Sequence, residues 1–372
     1  MQVERIGKSR RVLSGPLVFL AFLLFVLPSN AWSQAWKAEW EKTVAAAKKE
    51  GKVAVAGSPG QTYRDALTAF RKAYPDIQVE FVGIQGRDIA PRIVQERRAG
   101  QFLWDVHVGG AGSPFLIMLP NGVLDPLLPN LILPEVLEDS KWLGGFKDGW
   151  MEQEGKYIYG FAVYLSAAVF VNRDVVSQGE FSKAEDLWNP KWKGKIVWHD
   201  PRAGGNGSNQ GMLLLVNFGE EAVKRLLKDQ APVLTEDYRQ QVEWVAQGRY
   251  PIGIGVIEIT LRAFQKEGIG KNIVPLKDPR LFSVVSGFGN VMAINRAPHP
   301  NAAKVYIDWL LSKEGQTIYA KTSGDNSRRL DVPPGDPDTL PKPGVQYLNM
   351  QKQQYQEMRR KVLFPLAKSI LQ

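Results

Sequence analysis

The residues with the greatest chemical capacity in this 372-residue chain lie between Lys195 and Val216. Ile196, Val197 and Trp198 form an apolar, β-type run into His199, Asp200, Pro201 and Arg202, and GGNGSNQG follows from Gly204 to Gly211. That order predicts a strand, a glycine-rich loop and a helix start. The N–H groups of Gly204, Gly205, Asn206, Gly207 and Ser208 would then sit unpaired at the positive end of a helix, as a donor nest for an anionic or polar ligand, with Arg202 adding a full charge. The same residues also suit an ordinary loop capped by Ser208 or Asn209. His199, Asp200 and Glu258 have the types needed for acid–base chemistry, but adjacent residues at a strand end point to opposite sides, so His199 and Asp200 need not act together. No G-x-S-x-G elbow, H-E-x-x-H helix or Walker loop is present. An exported hydrolase is therefore the weakest reading, and the expectation is a protein that is not an enzyme and holds no cofactor or structural metal.

Similar loops recur wherever an apolar run ends. Lys52–Ala56 reads as a strand, followed by Gly57, Ser58, Pro59 and Gly60, and then by a helical pattern through Tyr63, Leu67 and Phe70. Ile77–Val82 alternates as a second strand, Gly83–Arg87 as its loop, and Pro91–Ala99 as a helix with Pro91 in its first turn. Trp104–Val108 is the third strand and GGAGSP, Gly109–Pro114, the third loop. Three β-loop-α units predict a parallel sheet with helices on both faces, and ligands in such sheets sit beyond the carboxyl ends of the strands. Ser58, Arg87 and Ser113 are accordingly candidates for one wall of a site.

Further on, Tyr157–Asn172 is a long extended stretch containing Tyr164, suited to a segment that leaves one lobe and enters another. Glu220–Lys228 and Glu236–Gln247 read as helices, Tyr250–Ile257 as a buried strand ending at Glu258, and Ile273–Leu276 as another strand. Ser286–Ile294, with Asn290, reads as a return crossing, and Pro300 or Asn301 opens a helix. Arg328 and Arg329 stand side by side in the turn-rich segment Thr322–Arg329, and their planar forks match carboxylate and phosphate oxygens. The tail from Val345 to Leu371 is helical in pattern until Pro365.

Composition narrows the class. Lys and Arg number 47 against 38 Asp and Glu, with no cluster of basic and aromatic residues, which argues against nucleic acid. Cysteine is absent, excluding disulfides, thiolate metal sites and a cysteine nucleophile. Residues 1–35 have the layout of a secretory signal peptide: Arg5, Lys8, Arg10 and Arg11, then the apolar run Val12–Leu27, then small residues at Ser29, Ala31, Ser33 and Ala35, with cleavage expected near residues 31–35. Its removal takes away four basic and one acidic residue, lowering the formal charge from +9 to +6. The expected setting is the periplasm.

The order and spacing of AVYLSAAVFVNRD (Ala162–Asp174), DLWNPKWKGKIVWHDP (Asp186–Pro201) and HPNAAKVYIDWLLSKEGQ (His299–Gln316) resemble the bacterial extracellular solute-binding proteins of ABC importers. The likeness is to the type II group that includes the ferric-iron-binding proteins. It implies an α/β fold of two Rossmann-like lobes joined by crossing hinge strands, with lobe 1 formed by 36–165 plus 289–328 and lobe 2 by 166–288 plus 329–372, the latter with the helical tail. It also implies a small-molecule ligand held in the cleft, hinge closure, delivery to an inner-membrane permease, and a monomer. The ligand-binding candidates are Ser58, Arg87, Ser113, Tyr164, Arg202, Gly207, Ser208, Glu258, Asn290 and Arg328. In the iron-binding branch adjacent tyrosines commonly supply phenolates, and this chain has no Tyr-Tyr pair. A small organic oxyanion, carboxylate or phosphorylated, is therefore the expected ligand. Ferric iron or a metal complex is the alternative, and a sensing role beside a membrane receptor would use the same closed surface.

Overall fold

A computed structural model describes residues 29–202 and 204–371. The basic head and apolar run of the expected leader lie outside the described residues. Among those that are described, no helix is long and apolar enough to cross a membrane.

The strands, in chain order, are β1 Lys52–Gly57, β2 Gln78–Gly83, β3 Val106–Gly109, β4 Leu124–Asp125, β5 Tyr159–Gly160, β6 Tyr164–Ala167 and β7 Val169–Asn172. They continue as β8 Ile196–His199, β9 Val233–Thr235, β10 Ile252–Ile254, β11 Ile273–Pro275, β12 Phe282–Val285 and β13 Asn290–Ile294. One sheet has the order β2-β1-β3-β13-β4, with β5 also on β13, and the other β11-β7-β10-β8-β9. β1 runs parallel to β2 and β3, as the three β-loop-α units require, and β13 returns antiparallel beside β3. Each sheet has its own core. Val53, Val55, Phe70, Tyr306 and Trp309 belong to the first, and Trp198, Met212, Leu213, Ile252 and Leu363 to the second.

The two lobes are joined by a separate two-stranded ribbon, β6 against β12, antiparallel with Phe282 opposite Ala167 and Val285 opposite Tyr164. This shifts the return crossing N-terminal to the expected Ser286–Ile294. Phe282–Val285 makes the crossing, Ser286–Gly289 closes a turn through Gly289 N–H to Ser286 O at 2.8 Å, and β13 already belongs to the first sheet. Gly287 takes φ +55° in that turn, where a Cβ would stand 2.4 Å from the Tyr164 hydroxyl. Only glycine allows both the left-handed backbone and that approach.

One helix begins earlier than its sequence signal suggests, and another begins as expected at Pro300 but ends sooner. The one carrying Arg87 spans Gly86–Arg98, so Arg87 is in its first turn and Pro91 inside it. The helix Pro300–Leu311 stops at Ser312, whose hydroxyl accepts from Gly315 N–H and opens Lys313–Ser323. The lobe division also changes near residue 329. Arg329 is buried in the first lobe, where its guanidinium lies 5.5 Å from the Trp142 ring centroid and pairs with Glu135 and Asp331. The tail then spans both lobes: Gln353 N–H donates to Met151 O in the first, and the helix Phe364–Ile370 packs on Glu220–Lys228 in the second.

Candidate functional site

The loops at the carboxyl ends of strands from both sheets face a cleft of about 980 Å³. β2 leads into Gln85–Arg87 and β3 into Gly110–Ser113 on the first lobe, while on the second β8 leads into Gly204–Asn206, β9 into Glu236–Arg239 and β10 into Ile257–Thr260. This is where open α/β sheets place ligands, because backbone donors and helix N-termini collect at strand ends. The crossing strand β6 supplies Tyr164 and Ser166 to the floor.

Of the sequence-derived candidates, Arg87, Ser113, Tyr164 and Glu258 line this cleft. The other six do not. Ser58 is buried at the end of β1, its hydroxyl behind Gly109. Asn290 is fully buried and uses Nδ2 to hold Gly109 O at 2.9 Å and Gly287 O at 3.2 Å. Arg202 turns away from the cleft onto Asp200, at 2.6 Å, and donates to Leu371 O at 2.6 Å, pinning the tail. Gly207 is packed against the carbonyl of His199. The Ser208 hydroxyl donates to Gly205 O and accepts from Arg359. Arg328 is buried in the first lobe on the carbonyls of Leu143, Gly145 and Gly160. A buried guanidinium needs acceptors for its donors, and backbone carbonyls supply them as well as a ligand would.

The glycine-rich stretch keeps part of its expected role. The helix it opens spans Asn206–Phe218, and Gly204, Gly205, Asn206 and Asn209 border the cleft. Asn206 N–H donates to the Tyr238 hydroxyl at 3.2 Å.

Several lining residues had no prior place in the site. Asp325 accepts the hydroxyls of Tyr63 at 3.3 Å and Tyr319 at 3.1 Å on one oxygen. Burial raises its carboxyl to about 6, and burial together with Asp325 itself pushes both phenols well above their usual range. These tyrosines therefore sit as neutral donors. Glu258 is also raised, chiefly by burial; it accepts from Ala167 N–H at 3.2 Å and lies 3.6 Å from Arg262. Arg262 additionally pairs with Asp336. Tyr238 stacks on His199 with ring centroids 4.0 Å apart. Asp237 caps the Tyr238–Ala246 helix by accepting from Arg239 N–H and Gln240 N–H, a signal the Asp-Tyr-Arg-Gln sequence carried.

His107 and His199 are held neutral by burial, each down to about 4, while burial lifts Asp325 to about 6 and Asp308 to about 7. Between pH 6.5 and 4 the unfolded chain protonates its histidines and the folded chain does not, so this pair lowers stability as pH falls. The aspartates act oppositely, taking up protons first in the folded state. Replacing His107 by Gln should expose the balance: relative to the parent, the variant should gain roughly 3 kcal/mol between pH 7 and pH 4. Urea unfolding at both pH values measures it, and a pH-independent difference would contradict a neutral buried imidazole.

Two α/β lobes, a two-strand crossing and a polar cleft at the strand ends define a protein that captures a ligand by closing around it. The chain belongs to the bacterial extracellular solute-binding proteins, which it matches over residues 65–342. Proteins of this family bind small solutes and deliver them to ABC permeases. Iron uptake protein A1 of Synechocystis sp. is 24% identical over 269 residues, 64% of this chain and 68% of that one. Among solved structures, the Trichodesmium protein IdiA (FutA) in complex with iron and citrate superposes with a TM-score of 0.63 at 20% identity, over 86% of this chain and 99% of that one. The periplasmic binding protein AfuA from Actinobacillus pleuropneumoniae, with exogenous fructose-6-phosphate bound, gives 0.67 at 19% identity, over 86% and 99%. At these identities the superpositions show the fold.

Proposed function

We propose that the cleft captures a small organic oxyanion, carboxylate or phosphorylated, and that the loaded protein, a periplasmic monomer, presents it to an inner-membrane ABC permease and releases it unchanged. The observation that carries this reading is how charge is shared out in the cleft. Asp325 is occupied by two tyrosine hydroxyls, Glu258 and Asp336 share Arg262, and Asp237 caps its helix, which leaves Glu236 as a lining carboxylate with no side-chain partner among the described residues. Arg87 and Lys266 line the cleft with no ion-pair partner among the described residues. Arg87 lies near enough to His199 and Tyr238 of the second lobe for its charge to lower the pKa of both, secondary to the effect of burial. An oxyanion between Arg87 and the helix start at Gly204–Asn206 would touch both lobes and thereby favour closure.

Melting temperature is to be recorded against citrate, fructose-6-phosphate, spermidine and ferric chloride. A ligand at 100 times its Kd should stabilise by about 2.7 kcal/mol, a shift of several degrees. Arg87→Ala should weaken oxyanion binding by about 2 kcal/mol, roughly thirtyfold, since a charge-assisted pair is lost. A shift with ferric chloride and with neither oxyanion would overturn the reading.

One observation favours the alternative of a ferric ion or its complex: Tyr63, Tyr164 and Asp325 line the same cleft, with Tyr319 behind them on Asp325. Burial disfavours the phenolate forms that such a ion needs. A visible tyrosinate-to-iron absorption on adding ferric citrate, lost in Tyr63→Phe, would establish it.

A further inference from the structure

We propose that Arg359, delivered by the C-terminal tail, is the residue that holds the anionic group of the ligand at the inner end of the cleft. This rests on the oxyanion reading and adds a specific charge that lies outside both lobe sheets. Arg359 is 2% exposed yet lines the cleft. It has no carboxylate partner among the described residues. Its Nη1 donates to Ser208 Oγ at 3.1 Å and Asn209 Oδ1 at 2.8 Å, its Nη2 donates to Gln356 Oε1, and its Nε has no acceptor among the described residues.

A guanidinium buried this completely among neutral oxygens is unfavourable, because desolvation is not offset by an opposite charge. The contrast within the same molecule is direct. Arg328 and Arg329, equally buried, each reach a carboxylate, Asp148 for the first and Glu135 and Asp331 for the second. Arg359 does not, and it is the one of the three that borders the cleft.

Its surroundings are those of an anion site. Ser208 and Asn209 lie in the first turn of the 13-residue helix Asn206–Phe218, whose N-terminus faces the cleft. On the other lobe the Gly110–Ser113 loop comes so close that a Cβ on Gly112 would stand 3.1 Å from Nη2. Arg359 therefore touches both lobes, and an anion bound to it between Ser113 and the Asn206 helix would bridge them. Arg359 also begins a wide π-helical turn, Arg359–Leu363, between the helices Gln353–Met358 and Phe364–Ile370, a local deviation often found where a side chain must be aimed.

The test uses the purified protein with inorganic phosphate and citrate as probes, in the parent, Arg359→Met, Arg359→Gln and Arg87→Ala. In the absence of probe, Arg359→Met should melt close to the parent temperature, because losing an uncompensated buried charge offsets the Ser208, Asn209 and Gln356 oxygens left without that donor. The shift produced by phosphate or citrate should fall at least tenfold in apparent affinity in both Arg359 variants. A melting temperature several degrees lower in Arg359→Met, with the anion response intact in Arg359→Gln, would make Arg359 a structural tie and overturn the proposal. Anion binding that survives in both Arg359 variants and disappears in Arg87→Ala would overturn it while leaving the oxyanion reading in place. A parent protein that responds to neither probe would overturn both.

Discussion

Gly207→Ala should cost the folded protein about 4 kcal/mol or more, whereas Gly204→Ala, three residues earlier, should stay within about 0.5 kcal/mol of the parent. A Cβ on Gly207 would lie 1.7 Å from the carbonyl oxygen of His199 and 2.5 Å from its carbon, both backbone atoms that no rotamer change can move. The segment 253–257 closes in from the other side: a Cβ on Gly255 would be 2.8 Å from the Gly207 Cα. Trp198 Nε1–H adds a 3.1 Å hydrogen bond to Gly207 O, so the helix start cannot retreat without breaking it. At Gly204 nothing among the described residues lies within 4 Å of the same added atom. Urea unfolding of the three proteins measures the difference. Equal stability of Gly207→Ala and the parent would show that the Asn206–Phe218 helix is not seated as described. The stretch thus does two jobs at adjacent positions: Gly204–Asn206 form the wall of the cleft, and Gly207 is the joint that lets the helix meet the end of β8.

Arg328→Ala should destabilise by about 3 kcal/mol or more, with Arg328→Lys recovering only part of the loss. The Arg328 fork holds the carbonyls of Leu143, Gly145 and Gly160, with Gly145 O and Gly160 O each at 3.2 Å, and Asp148 at 3.3 Å. Its removal strands several buried acceptors from two separate segments. A lysine offers a compact ammonium that cannot span them. Chemical denaturation gives the size, and binding of the oxyanion probes should be unchanged wherever the variant remains folded. If Arg328→Ala instead kept its stability and lost anion binding, the residue would belong to the cleft after all.

These two positions show where sequence reasoning succeeded and where it stopped. The β-loop-α units were legible because a parallel strand buried on both faces must be apolar, and because each strand end is punctuated by glycine, serine or proline. Arg87 and Ser113 could be placed at the cleft edge on that basis, since strand polarity alone sends the loops after β2 and β3 to the same edge, although the same argument also proposed Ser58, which is buried behind it. The glycine-rich stretch was legible as a helix opening for the same reason. Its individual glycines were not separable, because the obstacle at Gly207 is the His199 carbonyl eight residues back and the constraint appears only when the helix folds over the strand.

The hinge was displaced by a few residues because Phe282–Val285 and Asn290–Ile294 are both short, apolar and β-branched in character. Pairing with β6 makes one the crossing, and pairing with β3 makes the other part of a lobe. Composition and periodicity do not encode a partner.

Arginine is where local sequence carries least. Arg202, Arg328, Arg329 and Arg359 all have five donors and the same charge. Their destinations differ: Arg202 meets Asp200 two residues away, Arg328 meets carbonyls 168 to 185 residues away, and Arg359 reaches Ser208 across 151 residues. From the residues themselves came the leader expectation, the α/β alternation and the edge on which a ligand would sit, all of which depend on local pattern and strand direction, while the two hinged lobes came from the resemblance to the solute-binding family. Tertiary structure decided which cations are consumed internally and which remain for a ligand, because the desolvation and pairing of a charge depend on chain segments that folding alone brings within reach.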